Sequence, residues 1–526
     1  MNYFDFHAHI LLKQLFEDNP DIDSEVSQGD VGLIPEFCSD FPYIIETQIH
    51  QKQLLSFQSP VIIGAVLYGL ESFLSEAVLP LNKYLKKNSR DKLSQTLLTD
   101  AKGETYKTFS LFTEARTFEM YVNASQYFNL LSKNSFQAPL PSDRINLFFV
   151  IEGCHSLMDT KNRATATDGY TATEIIANLD KLLAVARILS VNLTHLQQSN
   201  ISNHAFGMQI TEPRNFYPRG NGLTAEGRKV VQALFDRKIC VDLKHMSYKS
   251  RRDLRRGIDN GEFTNAQPLL CTHAGFTGTG FNDWPKFISV KRPVEREVLY
   301  LEIRKTMQIQ NAPRVPGAPA FNMSTINLFD EEIVWIVQHG GMIGLSMDRR
   351  IMGYVSMFDD HPTGFDQDSP FMVDKEFFSG SEWLALGISD GDIGRDVNED
   401  DLLLMDHVVQ TVKDSIPRRN TYFYAHVLFH IKHFLQTCIN AGIPLSTAQK
   451  HLTIGSDFDG VINPFINFQT CLEMPGLKHY IANTLANFLR DLKDSRVWAD
   501  QLNVPAFVED LFYNNGYEFV SKFFQQ

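Results

Sequence analysis

Histidine, glutamate and aspartate residues stand at the ends of several short apolar runs of this chain. The first run, YFDFHAH at 3–9, ends in His7 and His9. Residues of the same kind end later runs: Glu152, His245, His273 and Asp457. Imidazole and carboxylate groups are common ligands of divalent transition metals. If the fold brings these side chains together, they can bind two cations with Glu152 as the bridge, and two metals sharing one water generate a hydroxide nucleophile near neutral pH.

Each of these residues alone has an ordinary structural interpretation. A single histidine near a strand end is commonly a packed core residue, and Asp457 and Asp459 in the GSDFDG segment are typical turn formers. The pattern is informative because five separate strand ends carry metal-binding residue types together.

The elements that position these residues follow from a repeated unit of one apolar run and one helical stretch. The runs lie at 3–9, 61–71, 145–155, 188–195, 238–246, 268–273, 342–347 and 452–460. Helical periodicity is clearest in the stretches that begin at 171, 223 and 421. Apolar runs of this length, separated by helices, are typical of parallel strands covered on both faces. The sequence therefore predicts an α/β protein with a (β/α)8 barrel of the TIM type.

The alternative fold is a doubly wound open sheet, but the glycine-rich phosphate turn after its first strand is absent. In a barrel the active site forms at the carboxyl ends of the strands, where the polar residues stand. His7 and His9 are two residues apart and therefore face the same side of the first strand. Asp5 is expected on that side, one layer deeper, where it could orient a metal ligand.

The length of 526 residues exceeds the roughly 250 that a barrel needs. We expect a single unit over 1–526 with insertions at about 75–142, 276–328 and 348–418. The third insertion is acidic and follows a strand end, so our hypothesis is a lid over the active site.

Composition excludes some functions. The 49 basic and 62 acidic residues give a net charge of −13, which argues against a nucleic-acid partner. The longest apolar stretch, 61–70, is about half the length of a membrane span, and the N-terminal segment lacks signal-peptide features. The six cysteines form no CxxC pair, and Cys240 and Cys271 lie in apolar runs as expected of buried thiols. We therefore expect a soluble, cytoplasmic protein.

Several segments, taken in order along the chain, resemble the membrane dipeptidase (renal dipeptidase, peptidase M19) family of the amidohydrolase superfamily. The segments are DFHAH, VIEGCHSL, VNLTHLQQSN, the stretch from Gly222 to Ser247, PLLCTHAG, HIKHFLQTCINAG followed by LTIGSDFDG, and LFYNNGYEFV. The stretch from Gly222 to Ser247 and the GSDFDG motif are the most specific. The resemblance implies a metal-dependent barrel that hydrolyses a dipeptide, and it is compatible with a homodimer.

The resemblance also implies a set of metal ligands. His7 and His9 bind one ion, His245 and His273 bind the other, and Glu152 bridges them. The implied cofactor is a pair of zinc ions, and manganese, cobalt or iron are alternatives because the same ligands suit them.

Two further roles come from the same resemblance. His195, in the LTH segment, is expected to contact the substrate carbonyl and to stabilise the oxyanion, although a core histidine is the alternative. Asp457 is expected to take a proton from the attacking water and to deliver it to the leaving amine.

This chain departs from the family pattern at three places. The first strand has His-x-His where the dipeptidases have His-x-Asp, which changes the charge of the site. Lys244 replaces a serine before His245 and either adds positive charge to the site or points outward. The arginine that holds the substrate carboxylate is missing after the sixth strand, and Lys286, Arg292 and Arg314 are the cations that could replace it. Arg292 is our candidate for substrate binding.

The predicted function is a metal-dependent hydrolase that cleaves an amide bond in a small substrate through a metal-bound hydroxide. One alternative is an amidohydrolase acting on a non-peptide amide or a lactone, and another is a catalytically silent barrel. His426 and His430 share a helix face, but with no third ligand nearby we expect them, like His433, to be packing residues.

Overall fold

The fold is described by a computed structural model. It describes residues 1–12, 22–23, 25, 46–68, 121–158, 171–207, 213–304, 321–353, 373–394, 416–460, 462–465 and 468–525. Cys38, Arg314 and most of the first predicted insertion lie outside these residues, as do two parts of the predicted lid, 354–372 and 395–415.

The strands of the described residues belong to two sheets. They are β1 (Tyr3–Ala8), β2 (Val61–Leu67), β3 (Phe128–Leu130), β4 (Ile145–Ile151), β5 (Ile188–Asn192), β6 (Cys240–Asp242), β7 (Leu270–Ala274), β8 (Ile288–Glu295), β9 (Val298–Arg304), β10 (Met342–Leu345), β11 (Val373–Ser379) and β12 (Leu452–Ile454). All eight predicted strand positions are confirmed.

The larger sheet is a parallel barrel. Its strands follow the order β1-β2-β4-β5-β6-β7-β10-β12, and β3 pairs beside β4. The first and last strands meet beyond their ends, where Ala8 and Phe458 form a parallel bridge. Backbone bonds close the join: Asp457 N donates to His7 O at 2.9 Å, and His9 N donates to Phe458 O at 2.9 Å. The predicted (β/α)8 barrel is therefore confirmed.

Helices alternate with the barrel strands. They are α1 (Gln51–Leu55), α2 (Ala172–Leu183), α3 (Ala225–Asp236), α4 (Tyr248–Asp259), α5 (Asp330–Gln338), α6 (Gly380–Leu386), α7 (Ile416–Asn440), α8 (Leu445–Ala448), α9 (Met474–Asp491), α10 (Arg496–Ala499), α11 (Val504–Glu509) and α12 (Asn515–Gln525). Thr224 caps the helix predicted from 223, because its Oγ1 accepts a hydrogen bond from Gly227 N at 3.0 Å.

Apolar residues fill the barrel below its polar end. A buried cluster includes at least one residue from each of β1, β2, β4, β5, β6, β7 and β10, among them Phe6, Phe148 and Leu270. Phe523 and Phe524 of α12 join the same cluster. Gly516 packs on the Phe4 ring and leaves no room for a side chain, so α12 lies close against β1. This packing anchors the strands whose other ends carry the polar residues.

A second sheet comes from the predicted insertions. β8 and β9 form an antiparallel hairpin, and β11 pairs antiparallel with β9. The hairpin lies in the second insertion and β11 in the third, so two insertions build one element. We call β8, β9, β11 and the following helix α6 the inserted sheet.

Two further observations concern membranes and thiols. No helix among the described residues is long and apolar enough to cross a membrane. The described cysteines, including Cys240 and Cys271, are free and buried, which confirms the prediction for these two thiols.

Candidate metal centre

The predicted metal ligands and the predicted acid all lie at the carboxyl end of the barrel. His7 and His9 close β1, Glu152 directly follows β4, and His273 lies at the end of β7. His245 and Asp457 lie in the loops just after β6 and β12. The side chains of the five predicted ligands are almost fully buried, and Asp457 keeps a small exposed fraction.

Glu152 is the centre of the group. Its Oε2 lies 3.3 Å from His9 Nε2, and its Oε1 lies 3.4 Å from His7 Nε2. The same Oε1 lies 3.2 Å from His245 Nε2 and 3.6 Å from His273 Nε2. One carboxylate therefore faces both predicted histidine pairs, as expected of a bridging ligand.

Asp457 lies beside the first pair. Its Oδ1 is 3.4 Å from His9 Nε2 and 3.8 Å from His7 Nε2, and its Oδ2 is 4.0 Å from His273 Nε2. The backbone of Asp457 has a φ of 62° and that of His245 has a φ of 67°, both in the left-handed region that residues with a Cβ rarely adopt. Strained backbone of this kind is concentrated at functional sites.

The charges in the group shift several pKa values. Burial alone would raise the pKa of Glu152, but the charges of His195 and His7 hold it well below its usual range. Burial raises the pKa of Asp457, although the imidazoles of His9 and His7 act in the opposite direction. Burial and the charge of His195 lower the pKa of His245 to about 3. The pKa values of the two carboxylates therefore shift in opposite directions, so Glu152 is ionised and Asp457 is more easily protonated.

The donor set fits a divalent cation. Three groups of side chains offer converging ligand atoms: His7 with His9 and Glu152, His7 with His273 and Asp457, and Glu152 with His195 and His245. Within the described residues, Nε2 of His7 and Nε2 of His9 are buried and make no hydrogen bond. The Nε2 atoms of His245 and His273 are only 3.1 Å apart, so at most one carries a proton. Buried lone pairs that face one another are costly unless a cation binds between them.

A hydrogen-bonded chain behind the site fixes the orientation of His7. Thr272 Oγ1 donates to the buried carboxylate of Asp242 and lies 3.0 Å from His7 Nδ1. Because the hydroxyl proton is engaged by Asp242, His7 Nδ1–H donates to Thr272 Oγ1, which leaves Nε2 with its lone pair toward Glu152. Sequence reasoning missed Asp242 and Thr272, although a carboxylate within a buried strand, three residues before His245, was a usable signal.

His195 is less buried than the ligands and lies at the edge of the group. Its Nε2 is 3.7 Å from Glu152 Oε1, and its side chain is 11% exposed. The ring packs edge-on against Tyr68 at 5.0 Å and lies parallel to His155 at 6.2 Å. Tyr68 and His155 were not predicted, although His155 belongs to the same IEGCH segment as Glu152. A partly exposed imidazole beside the group can reach a substrate.

Asp5 and Lys244 lie close to the ligands in the sequence, and both are buried. A register shift between Asp5 and Ala8 interrupts the alternation on which the prediction for Asp5 rested. The Asp5 carboxylate accepts hydrogen bonds from the backbone N of His7 and of Ser456, so it joins β1 to β12 through the main chain. Lys244 is buried rather than exposed to solvent, and its Nζ has no hydrogen-bond partner among the described residues.

The predicted substrate cation belongs to the inserted sheet and not to a strand of the barrel. Arg292 is an exposed residue of β8, and its guanidinium lies 4.6 Å from the centre of the Tyr300 ring. Lys286 is paired with Asp283 at 2.6 Å. Closer to the barrel, Arg350 follows β10 and binds Asp348 with a shortest distance of 2.7 Å. Burial would lower the pKa of Arg350, but the charges of Asp348 and Asp457 raise it.

The histidines of α7 lie elsewhere. Buried His430 packs against the rings of Phe276 and Phe321 at 5.5 and 4.8 Å. His433 Nε2 lies 2.8 Å from Asp330 Oδ1. Within the described part of the chain, the groups with metal-binding geometry do not include these residues. These contacts agree with the predicted packing role.

Comparisons with known proteins give structural likeness only. No family model matches the chain, and no curated protein matches it. A metallo peptidase from Rhodobacter sphaeroides, liganded with a phosphinate mimic of the dipeptide L-Ala-D-Ala, has a TM-score of 0.48 at 15% identity over 99% of this chain and 98% of its own. The dipeptidase AC, a metallo peptidase of family M19, has a TM-score of 0.48 at 14% identity over 100% and 99%. The probable dipeptidase PvdM from Pseudomonas aeruginosa has a TM-score of 0.45 at 10% identity over 91% and 88%. At such low values the likeness does not assign an activity to this chain.

Proposed function

We propose that this protein is a metal-dependent hydrolase that cleaves an amide bond in a small substrate, with a dipeptide as the first candidate. The observation that carries the proposal is the position of Glu152, whose carboxylate faces the His7 and His9 pair on one side and the His245 and His273 pair on the other. Asp457 stands beside this arrangement and can exchange a proton with a bound molecule.

In this proposal His7 and His9 would hold one cation, His245 and His273 would hold the second, and Glu152 would contribute to both. Zinc is the first candidate, and manganese, cobalt or iron suit the same ligands. Divalent cations in such a site supply Lewis acidity, which lowers the pKa of water and polarises a carbonyl group.

The remaining residues handle protons and charge. Asp457 would accept a proton from the nucleophilic water and then donate it to the leaving amine, a role that its position beside His9 and His7 allows. His195 is the partly exposed imidazole of the group and donates a hydrogen bond to the oxygen that becomes negatively charged.

The inserted sheet gives this site an aromatic neighbour. Phe377 of β11 packs against a buried cluster of Leu196, Phe206 and Phe216, and Leu196 follows His195 in the chain. Its ring also lies 4.3 Å from the ring of Tyr217 and 4.9 Å from that of Phe206. We propose that this wall favours substrates with an apolar group on the His195 side.

A non-peptide amide or a lactone is the second candidate substrate. It is favoured by the missing arginine after His273 and by the position of Arg292, which is exposed on the inserted sheet. A substrate without a free carboxylate would not need that contact.

The test is a mixed library of L,L, L,D and D-containing dipeptides incubated with protein that has been loaded with zinc or manganese. Mass spectrometry should detect cleavage that disappears when a chelator is added. Cleavage of carboxylate-free amides or lactones, with none of dipeptides, would favour the second candidate. Absence of both activities in protein that retains metal would contradict the proposal.

The cellular location and the oligomeric state are proposed from other observations. The buried free thiols suit a reducing compartment, so we propose a cytoplasmic location. Subcellular fractionation tests this, and size-exclusion chromatography with light scattering tests the homodimer that the family resemblance suggests.

A further inference from the structure

The second aspartate of the GSDFDG segment has no place among the proposed ligands, yet it is almost completely buried. Its Oδ1 accepts a hydrogen bond from Gln48 N at 2.7 Å. In return, Asp459 N donates to Gln48 Oε1 at 2.9 Å. Gln48 and Asp459 are therefore joined by a reciprocal pair of bonds across 411 residues of sequence.

Gln48 is itself held firmly. Its side-chain Nε2 donates to Ile462 O at 3.2 Å, and its backbone carbonyl accepts from Cys471 N at 2.8 Å. The residue is 2% exposed, so water does not compete for these bonds. Gln48 is therefore held in one position, and its hydrogen bonds hold the loop after β12 in place.

That loop requires fastening because its backbone is strained. Both Asp457 and Asp459 have positive φ values, 62° and 64°. Residues with a Cβ remain in this region only where surrounding contacts impose it. Phe458 between them donates its N–H to Ser456 Oγ at 3.0 Å, and its carbonyl accepts from His9 N. A Cβ on Gly460 would collide with the Asp457 carboxylate, so the chain folds back directly on this side chain.

We infer that Gln48 and Asp459 are positioning residues that hold the Asp457 carboxylate at the place from which it transfers protons. This inference rests on the proposed function only for the role of Asp457. Loss of the reciprocal bonds releases the strain at 457–459 and displaces the carboxylate, while His7 keeps its contact with Thr272 and Glu152 keeps its backbone bond to Leu67. A displacement of about 1 Å in a catalytic group can lower turnover on the order of 100-fold.

The first experiment does not depend on any substrate. Hydrogen exchange of the backbone amides at 455–460 is compared in wild-type protein, Gln48→Ala and Gln48→Glu. The alanine variant lacks the acceptor for Asp459 N–H, so exchange in this segment should be at least tenfold faster. The glutamate variant keeps an acceptor oxygen for Asp459 N–H but loses the amide donor to Ile462 O, so its exchange rate should lie between those of the other two proteins. Unchanged exchange in Gln48→Ala would overturn the inference.

The second experiment uses kinetics on a cleaved dipeptide. Asp459→Ala should lower kcat between 10- and 100-fold with KM and metal content unchanged, whereas Asp459→Asn, which keeps an oxygen acceptor for Gln48 N, should retain most activity. The double variant Gln48→Ala/Asp459→Ala should lose no more than the stronger single variant, because both residues form one unit.

The matched control is Asn515→Ala. Asn515 Nδ2 donates to Gln449 O and Leu452 O at the opposite end of β12, both at 2.8 Å, so this variant also loses buried side-chain bonds to backbone. It should lower thermal stability without lowering kcat, and an equal loss of kcat would overturn the inference. If wild-type protein cleaves no substrate but Gln48→Ala exchanges faster, the reciprocal bonds stand and the proposed function fails.

Discussion

Buried carboxylates occur in two regions of this molecule, and their partners differ. In the inserted sheet they bind the main chain: Glu376 accepts from Thr325 N, and Glu382 accepts from Gly222 N. At the carboxyl end of the barrel, Glu152 and Asp457 instead face imidazole nitrogens that lie 3.2–4.0 Å away.

The difference distinguishes carboxylates that attach one segment to another from carboxylates that are placed to bind a ligand. A buried carboxylate whose oxygens accept backbone N–H groups has its hydrogen-bonding needs met by the fold itself. A buried carboxylate surrounded by imidazole lone pairs does not, and the arrangement is stable only with a proton or a cation between the groups. The comparison therefore points to the barrel end as the site that binds a ligand and to the inserted sheet as its support.

The largest effect is expected from removing the bridge. Glu152→Gln should abolish turnover and reduce the metal content of purified protein, because an amide is a weak ligand and cannot compensate two cations. Inductively coupled plasma mass spectrometry measures the metal. The control is His479→Ala, which removes an exposed imidazole of α9 and should change neither quantity. Full metal content and activity in Glu152→Gln would show that Glu152 does not bind a cation, and the proposed difference between the barrel end and the inserted sheet would be wrong.

A smaller loss should follow from breaking the chain behind His7. Thr272→Val keeps the shape of the side chain but removes the hydroxyl between His7 Nδ1 and Asp242. Metal affinity should fall about 10- to 100-fold, as is usual when a partner of a ligating histidine is lost. Competition with a chelator of known affinity measures it. Thr453→Val, which removes a buried hydroxyl that donates to Leu511 O, is the control and should leave affinity unchanged.

The next prediction asks which region holds the substrate carboxylate. Arg292→Ala on the inserted sheet should raise KM for a dipeptide by about tenfold, the usual worth of one charge-assisted hydrogen bond, and should leave KM for a carboxylate-free amide unchanged. Lys286→Ala, whose ammonium is already paired with Asp283, is the control. A rise in KM from Arg350→Ala but not from Arg292→Ala would transfer this contact to the barrel.

The smallest effect is expected in the inserted sheet, where Glu376 should make the thermal stability depend on pH. Burial raises the pKa of Glu376 to about 8 from an ordinary 4.5, so the folded protein keeps a proton that the unfolded chain releases. This contribution to stability is complete below the unfolded pKa and is lost as pH rises through the folded one. The Tm of wild-type protein, relative to Glu376→Gln, should therefore fall as pH rises between about pH 5 and pH 8. A constant difference in Tm across this range would show that Glu376 is ionised throughout.

The sequence predicted the barrel because its strands carry the signal locally. An apolar run such as Ile145–Ile151 is buried along its whole length, and the polar residue that ends it lies at the rim by the geometry of the fold. The convergence of His7, His9, His245 and His273 on Glu152 follows from the same geometry. Assignment of Arg292 to the substrate and of 348–418 to a lid both stay predictions.

The features that sequence reasoning missed depend on pairing between distant segments. The register shift near Asp5 is a property of β1 and β2 together, and no pattern within YFDFHAH announces it. The inserted sheet joins β9 to β11, which belong to different insertions. The bonds between Gln48 and Asp459 likewise link residues far apart in the chain.

The way in which the inserted sheet is attached has an evolutionary consequence. Ser379 Oγ donates to Gly220 O at 2.6 Å, and Glu382 accepts from Gly222 N at 2.8 Å, so at these two contacts the sheet binds main-chain groups of the loop before α3. Main-chain groups are present whatever the side chains are. The sheet can therefore diverge in sequence while the residues at the carboxyl end of the barrel stay the same.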